Sequence, residues 1–263
     1  MRVLFIGDIV GRPGRRAVEY WLPRLRTERG IDLVIANAEN AAGGMGLNDK
    51  VYEELVEIGV DVITTGNHAW DKKEGHGLIE DGRVLRPANY PPEVAGSGST
   101  VVTTPSGDAV GVVNLQGRAF MRPIDCPFRV GQREIARLRS ETIAIIVDFH
   151  AEATAEKLAL GWYLDGEVAA VLGTHTHVPT ADECILPEGT AYITDVGMTG
   201  PYRSVIGMDT GSAVERFLTG LNVRLEPAKD DVRLAGAIID IDMHSGHATG
   251  IERLLLPLRD SSK

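Results

Sequence analysis

The stretch Gly173-Thr174-His175-Thr176-His177 decides how the rest of the chain is interpreted. It follows an apolar run, residues 168–172, whose pattern predicts a buried strand. Two histidines at positions i and i+2 point the same way if the chain stays extended, and in a loop they can close on one cation. Imidazole is the commonest protein ligand for metals, yet two polar residues that simply follow a strand explain this motif equally well when it is taken alone.

Four other predicted strands also end in residues of types that bind metals. These residues are Asp8, Glu39 with Asn40, Asn67 with His68, and His150. Each has an ordinary explanation alone, as a turn residue, a helix-start residue or a hydrogen-bonded strand end. In open α/β sheets, however, the carboxyl ends of the strands form the ligand crevice. Because all of these residues, with His175 and His177, fall at such ends, we expect them to share one rim.

The first half of the chain alternates strands with helices, a pattern that predicts a parallel sheet. The predicted strands cover residues 3–6, 31–36 and 60–65, and the predicted helices cover residues 14–29, 48–58 and 71–80. Pro23 predicts a kink or break in the first helix, because proline lacks the amide hydrogen that the helix needs. Asn48 is the expected N-cap of the second helix.

The second half adds two predicted hairpins and further strands and helices. The hairpins are residues 101–115 and 232–256, the other strands are 142–149, 168–172 and 190–195, and the helices are 132–140, 153–164 and 209–219. A parallel first half and an antiparallel second half predict two sheets packed face to face with helices outside. No stretch has the composition of a linker between domains, so we expect a single domain over residues 1–263.

Composition excludes several classes of protein. The 263 residues are 43% hydrophobic and have a mean hydropathy of -0.04, which is typical of a soluble globular protein. No apolar run approaches the roughly 20 residues of a membrane span, and the start of the chain lacks a signal-peptide pattern. Two cysteines, Cys126 and Cys184, suit a reducing compartment, so we expect a cytoplasmic protein. The formal charge of -10 argues against binding long nucleic acid, although a bound metal would still allow a nucleotide.

The chemistry of the strand-end residues favours two metal ions. A mixture of oxygen and nitrogen ligands suits Mn²⁺, Fe or Zn²⁺, whereas an all-oxygen set would suit Mg²⁺ or Ca²⁺. The candidates are too many for one tetrahedral site, and their number fits two metals that share a carboxylate. Such pairs are typical of phosphatases and nucleases, in which they acidify a bridging water and stabilise the charge of an in-line displacement.

The same residues resemble the metallo-dependent phosphoesterases, whose usual pattern is D-x-H, G-D-x-x-D, G-N-H-D/E, H and G-H-x-H. The matching positions are Asp8, Gly66-Asn67-His68, His150 and Gly173-x-His175-x-His177. Val10 stands where the first histidine is expected, and Glu39-Asn40 replaces the second aspartate motif. These departures resemble one subgroup, the YmdB-like phosphoesterases, as do the blocks at residues 37–40, 44–46, 149–154 and 197–201. The match covers essentially the whole chain and implies a four-layer α/β/β/α sandwich of two mixed sheets with helices on the outer faces.

The resemblance implies a phosphodiesterase for small cyclic nucleotides, 2′,3′-cAMP among them, with two transition-metal ions per chain, Fe or Mn. The residues implied to hold the first metal are Asp8, Glu39 and His177, with Asn40 beside it. Those implied to hold the second are Glu39, Asn67, His150 and His175, which makes Glu39 the bridge. Because Val10 replaces a histidine, either Asn40 or water would complete the first site, and Asn40 could instead contact the phosphate.

The remaining implied contacts belong to the substrate. His68 would be the general acid for the leaving oxygen or a hydrogen-bond donor to the phosphate, since imidazole titrates near the right pH. Thr199 and Gly200, in the shared block at residues 197–201, would contact the substrate as well. Arg12, Arg15 and Arg16 could hold a substrate phosphate, but a solvated helix face explains them equally well.

Other functions stay open from the sequence. A metal-dependent amide hydrolase also uses H-x-H and two metals, although its H-x-H usually lies at the first strand of a barrel. A metal-holding regulatory or interaction protein on the same fold, with little turnover, is a further alternative. Long loops favour a homo-oligomer, a dimer or a tetramer, because most soluble assemblies are homomeric. We expect no membrane partner.

Overall fold

The computed structural model describes residues 1–259, in which thirteen strands form two mixed sheets. In chain order the strands are β1 (Arg2–Ile6), β2 (Leu33–Asn37), β3 (Val62–Thr64), β4 (Val84–Leu85), β5 (Ser99–Thr103), β6 (Ala109–Gln116), β7 (Ala144–His150), β8 (Ala170–Thr174), β9 (Cys184–Ile185), β10 (Ala191–Ile193), β11 (Gly200–Pro201), β12 (Val232–Ile241) and β13 (Ala248–Pro257). The helices are α1 (Gly11–Arg29), α2 (Asp49–Ile58), α3 (Pro127–Leu138), α4 (Thr154–Tyr163) and α5 (Thr210–Thr219), with a 3-10 helix at Lys73–Glu80. The predicted domain of residues 1–263 extends into residues 260–263, which lie outside the described part.

The two sheets differ from the predicted division of the chain into halves. The first sheet has the order β11-β12-β1-β2-β3-β4, with β13 paired to β12, and the second has the order β5-β6-β7-β8-β10-β9. The C-terminal hairpin β12–β13 therefore joins the sheet of β1 and lies antiparallel to it, so the division into a parallel and an antiparallel half was wrong. The reason is burial: residues 234–239 of β12 are all buried, which suits a central strand.

Four layers follow from three clusters of apolar side chains. A central cluster joins Phe5 and Ile35 of the first sheet to Ile146 and Leu172 of the second. A second cluster packs the outer face of the first sheet against α1 and α2, and a third packs the outer face of the second sheet against α3 and α4. The predicted α/β/β/α sandwich of two mixed sheets is therefore confirmed. Within residues 1–259, no helix combines the length and apolar character needed to cross a bilayer.

Helix ends agree with the sequence patterns at some positions and differ at others. The Asn48 side chain accepts a hydrogen bond from the Val51 amide at 3.0 Å, which confirms the predicted N-cap of α2. The predicted break at Pro23 is wrong, because α1 continues through it. Pro23 is exposed, and burial of Val18, Leu22 and Leu25 on the opposite stripe offsets the ~3 kcal/mol that an interior proline costs. The helix predicted at residues 71–80 is instead the 3-10 helix.

A buried ion pair holds the loop that carries the two late histidines. Lys157 of α4 donates from Nζ to Asp195 Oδ2 at 2.6 Å, and both side chains are only 1% exposed. The same carboxylate accepts hydrogen bonds from the Thr176 hydroxyl at 2.7 Å and the Thr176 amide at 3.2 Å. His175 and His177, which flank Thr176, have φ values of 95° and 67°, in the left-handed region that non-glycine residues rarely adopt. The ion pair therefore stabilises an otherwise unfavourable backbone.

We expect Lys157→Met to lower the free energy of unfolding by about 3–5 kcal/mol, because it leaves the Asp195 carboxylate buried without its cation. The double variant Lys157→Met/Asp195→Asn should lose less, since no uncompensated charge remains. Chemical denaturation of chelator-treated protein would measure both effects without a contribution from bound metal. Equal losses in the single and double variants would show that the ion pair does not act through charge.

Candidate metal centre

The first group of donor atoms gathers around His150, the last residue of β7. His150 Nε2 lies 3.0 Å from Glu39 Oε1, 3.2 Å from Asn67 Oδ1 and 3.0 Å from His175 Nδ1. Donor atoms of Glu39, His150 and His175 all lie within 4.8 Å of one another, close enough for them to hold one metal ion. The strands that carry them belong to both sheets, so face-to-face packing creates this group.

A second group lies beside the first and contains Asp8, Asn40 and His177. His177 Nε2 is 3.1 Å from Asn40 Nδ2 and 3.8 Å from Asp8 Oδ1. Glu39 lies between the groups, because its Oε1 also accepts a hydrogen bond from Asn40 Nδ2 at 3.2 Å. The structure thus brings together around Glu39 all of the predicted strand-end carboxylates, amides and imidazoles except the imidazole of His68.

Neighbouring oxygen atoms indicate which nitrogen of two imidazoles faces the cluster. His177 Nδ1 lies 2.8 Å from the Ile206 carbonyl, to which it can only donate. His175 Nε2 lies 3.1 Å from Glu152 Oε2, an electrostatic contact that favours a proton on this nitrogen. The opposite nitrogens, Nε2 of His177 and Nδ1 of His175, therefore keep a lone pair directed at the cluster, as metal-binding histidines require.

A buried polar network supports the cluster from below. Asp148 accepts hydrogen bonds from Thr174 at 2.7 Å, from Asn37 at 3.0 Å and from Thr64. Thr174 Oγ1 in turn lies 2.9 Å from His150 Nδ1, so Asp148 acts on His150 through Thr174. Sequence reasoning did not single out these threonines or Asn37 as supporting residues. Strand alternation could have indicated Asp148, because it lies two residues before His150 and therefore on the same face of the strand.

The charge of this site fits a bound cation. Asp8 is fully buried, and its Oδ1 has no hydrogen-bond partner in the described chain. Burial raises the pKa of the Asp8 carboxyl, against the opposing effect of the charges on His177 and His150. An ionised carboxylate is costly to bury without a counter-charge. Two carboxylates beside several imidazoles are therefore a donor set that suits transition metals.

Without metal, a proton on His150 balances Glu39. Burial alone would raise the pKa of Glu39, but the charge and hydrogen bond of His150 outweigh it and lower this pKa to about 2. Burial disfavours the imidazolium, yet Glu39 raises the pKa of His150 to about 9. Burial and the charge on His150 lower the pKa of His175 to about 3. Since a ligating imidazole is neutral, a metal would displace the His150 proton.

His68 lies at the edge of the cluster. Its backbone amide donates to Glu39 Oε2 at 3.2 Å, while its imidazole Nδ1 lies 2.6 Å from Asp71 Oδ2. The His68 side chain is 31% exposed, in contrast to the fully buried His150. A histidine oriented by a carboxylate and open to solvent can exchange a proton with a bound molecule.

Thr199 and Gly200 are not brought into the cluster. The Thr199 hydroxyl donates to the Ala235 carbonyl at 2.9 Å and accepts from the Ala235 amide at 3.1 Å. Gly200 pairs with Arg233 in the first sheet. These contacts connect Thr199 and Gly200 to β12. They do not support the predicted contact of the two residues with substrate.

Comparisons with known proteins identify the family and fold of this chain. A family model described as YmdB-like protein matches residues 4–254. The chain is 52% identical over 257 residues to the 2′,3′-cyclic-nucleotide 2′-phosphodiesterase of Bacillus subtilis, with 97% of each protein covered.

Solved structures match along nearly the whole length. A crystal structure of a novel phosphatase from Mycoplasma pneumoniae has a TM-score of 0.92 and 37% identity, covering 99% of this chain and 95% of that one. A crystal structure of a hypothetical protein from Thermus thermophilus has a TM-score of 0.91 and 46% identity, covering 98% and 99%. The predicted resemblance is confirmed, and this chain belongs to the YmdB-like family.

Proposed function

We propose that this protein is a metal-dependent phosphodiesterase that hydrolyses small phosphodiesters, among them 2′,3′-cyclic nucleotides. The observation that carries the proposal is the buried group of carboxylates and imidazoles around Glu39. The name of the Bacillus subtilis relative, a 2′,3′-cyclic-nucleotide 2′-phosphodiesterase, supports the same reaction and substrate class. The name of that relative does not support the alternatives, an amide hydrolase and a metal-holding protein with little turnover.

Two metal ions, Fe or Mn, would be held by the two groups of donors. The residues for the first are Asp8, Asn40 and His177, and those for the second are Asn67, His150 and His175. Glu39 would serve both, because it lies between Asn40 and His150. When bound, such a pair supplies Lewis-acid stabilisation of phosphoryl charge and a water of lowered pKa.

His68 is proposed as the proton donor to the ribose oxygen that leaves the phosphorus. Asp71 holds its Nδ1, which leaves Nε2 as the nitrogen that can reach a bound molecule. The His68 amide donates to Glu39, so the His68 backbone lies at the rim of the cluster. Its imidazole is not part of the cluster. Asn40 lies against His177 and would contact either a metal or the phosphate.

Three further parts of the proposal rest on sequence patterns. The cysteine usage suggests a cytoplasmic protein, and the long loops suggest a homo-oligomer, a dimer or a tetramer. The chain is proposed to be a single domain over residues 1–263. Thr199 and Gly200 remain proposed substrate contacts only by resemblance.

Protein reconstituted with Mn²⁺ should open the cyclic phosphate of 2′,3′-cAMP and should also hydrolyse bis(p-nitrophenyl) phosphate. Glu39→Gln should abolish nearly all turnover of both substrates, because the substitution removes the shared charge at the centre of the cluster. It should preserve the circular dichroism spectrum, since the two side chains have the same shape. Glu57→Gln, at an exposed glutamate of α2, is the matched control and should retain full activity. Near-normal turnover by Glu39→Gln would contradict the proposed role.

His68→Ala should keep its metal content and lose activity in proportion to the basicity of the leaving group. A positioned acid contributes ~10²–10⁴-fold, so the loss in kcat should approach that range for 2′,3′-cAMP. The loss should be much smaller for bis(p-nitrophenyl) phosphate, whose leaving group needs little protonation. His76→Ala, an exposed histidine in the neighbouring 3-10 helix, provides the control. Equal losses on both substrates would mean that His68 binds phosphate, and loss of metal would make it a ligand.

A further inference from the structure

A cavity of about 660 Å³ opens at the N-terminal end of α1, outside the candidate metal centre. Arg12 and Arg16, one helical turn apart, line one side of it, and Arg224 and Lys229 line the other. Arg15 points elsewhere, since it binds Glu54 at 2.8 Å and the Ala41 carbonyl at 2.7 Å. Of the three arginines near Asp8, Arg15 therefore makes a structural contact, whereas Arg12 and Arg16 line this cavity.

Of the four cationic side chains that line the cavity, only Arg224 has an acidic partner within residues 1–259. Glu226 also lines the cavity, but it lies 3.7 Å from Arg224, which it partly balances. Within residues 1–259, Arg12, Arg16 and Lys229 form no hydrogen bond or ion pair through their side chains. The 19-residue helix α1 has no acidic residue in its first turn, so its N-terminal partial positive charge adds to theirs. The lining of the cavity therefore carries a local excess of positive charge, whereas the whole chain has a formal charge of -10.

The cavity adjoins the metal centre through two shared segments. Gly43 lines the cavity, and the Gly44 and Gly11 amides both donate to the carbonyl of Asn40, whose side chain lies in the cluster. On the other side, the Ile206 carbonyl accepts from His177, while the next carbonyl, of Gly207, accepts from the Ala228 amide at 2.9 Å. The segments on both sides of the cavity are therefore hydrogen-bonded to segments that carry or contact the proposed metal ligands Asn40 and His177.

We propose that this cavity binds the upstream phosphates of a short oligoribonucleotide whose 3′ end carries the 2′,3′-cyclic phosphate. The inference rests on the proposed function and extends its substrate class. Arginine suits this role because its planar guanidinium binds phosphate oxygens in pairs. A cyclic mononucleotide has no phosphate on the 5′ side of its ribose, so it would leave the cavity empty. An oligonucleotide end would use the catalytic cluster and the cavity together.

The test compares two substrates, 2′,3′-cAMP and a triadenylate that ends in a 2′,3′-cyclic phosphate. Arg12→Gln/Arg16→Gln is the test variant. Arg129→Gln/Arg133→Gln is the matched control, because it removes an exposed pair with the same spacing from α3, on the opposite outer layer. Opening of the cyclic phosphate gives kcat/KM, and fluorescence anisotropy of a labelled triadenylate 3′-phosphate on chelator-treated protein reports binding without turnover.

We expect wild-type protein to favour the trimer by tenfold or more in kcat/KM. The test variant should lose that preference, bind the labelled trimer at least tenfold more weakly and retain its activity on 2′,3′-cAMP. The salt dependence of binding should also become shallower, by about 0.7 in the log–log slope per lost phosphate contact. The control variant should behave as wild type in both measurements.

Several outcomes would overturn the inference. Equal kcat/KM for both substrates in the wild type, equal losses on both in the test variant, or equal weakening in test and control variants would each exclude a phosphate site here. Failure of the wild type to open either substrate would instead refute the proposed function. The anisotropy comparison of test and control variants would still decide whether the cavity binds the trimer.

Discussion

Two carboxylates, Asp8 and Glu39, are buried side by side at the edge where both sheets end, and the rest of the site depends on compensating their charge. Asp8 is fully buried and Glu39 is 1% exposed. Water cannot solvate either anion well, so protein imidazoles, a proton or a metal must do so. His150, His175 and His177 converge on the pair for this reason. The two buried anions would also favour the binding of a cation.

The fold supplies this arrangement through strand direction and burial. β1 and β2 run parallel, as do β7 and β8, so their carboxyl ends carry the donors to one edge of each sheet. The central apolar cluster presses the two sheets together and places Glu39 of one against His150 of the other. Behind the histidine loop, Lys157 and Asp195 hold Thr176 while its neighbours keep left-handed φ values. The candidate metal centre thus lies at the junction of two sheets, and a buried ion pair supports it on one side.

The sequence predicted the strand-end residues well because each is a polar residue that follows an apolar run. Asp8, Asn67, His150 and His175 were identified in this way, and the structure brings them together. The pairing of the C-terminal hairpin with β1 could not be read from local pattern, because antiparallel strands look alike whichever sheet they join. β4, β9 and β11, each of two residues, are too short to show periodicity. The support of His150 by Asp148 through Thr174 depends on contacts across β7 and β8, which no single segment reveals.

The central claim is that the cluster around Glu39 holds two metal ions, and the most direct measurement is metal content per chain. Protein stripped with chelator and reconstituted with Mn²⁺ would be analysed by mass spectrometry of the metal and by electron paramagnetic resonance. We expect close to two ions per chain and a spectrum with the magnetic coupling of a Mn²⁺ pair. A stoichiometry that never exceeds one, with the spectrum of isolated Mn²⁺, would contradict a dinuclear site.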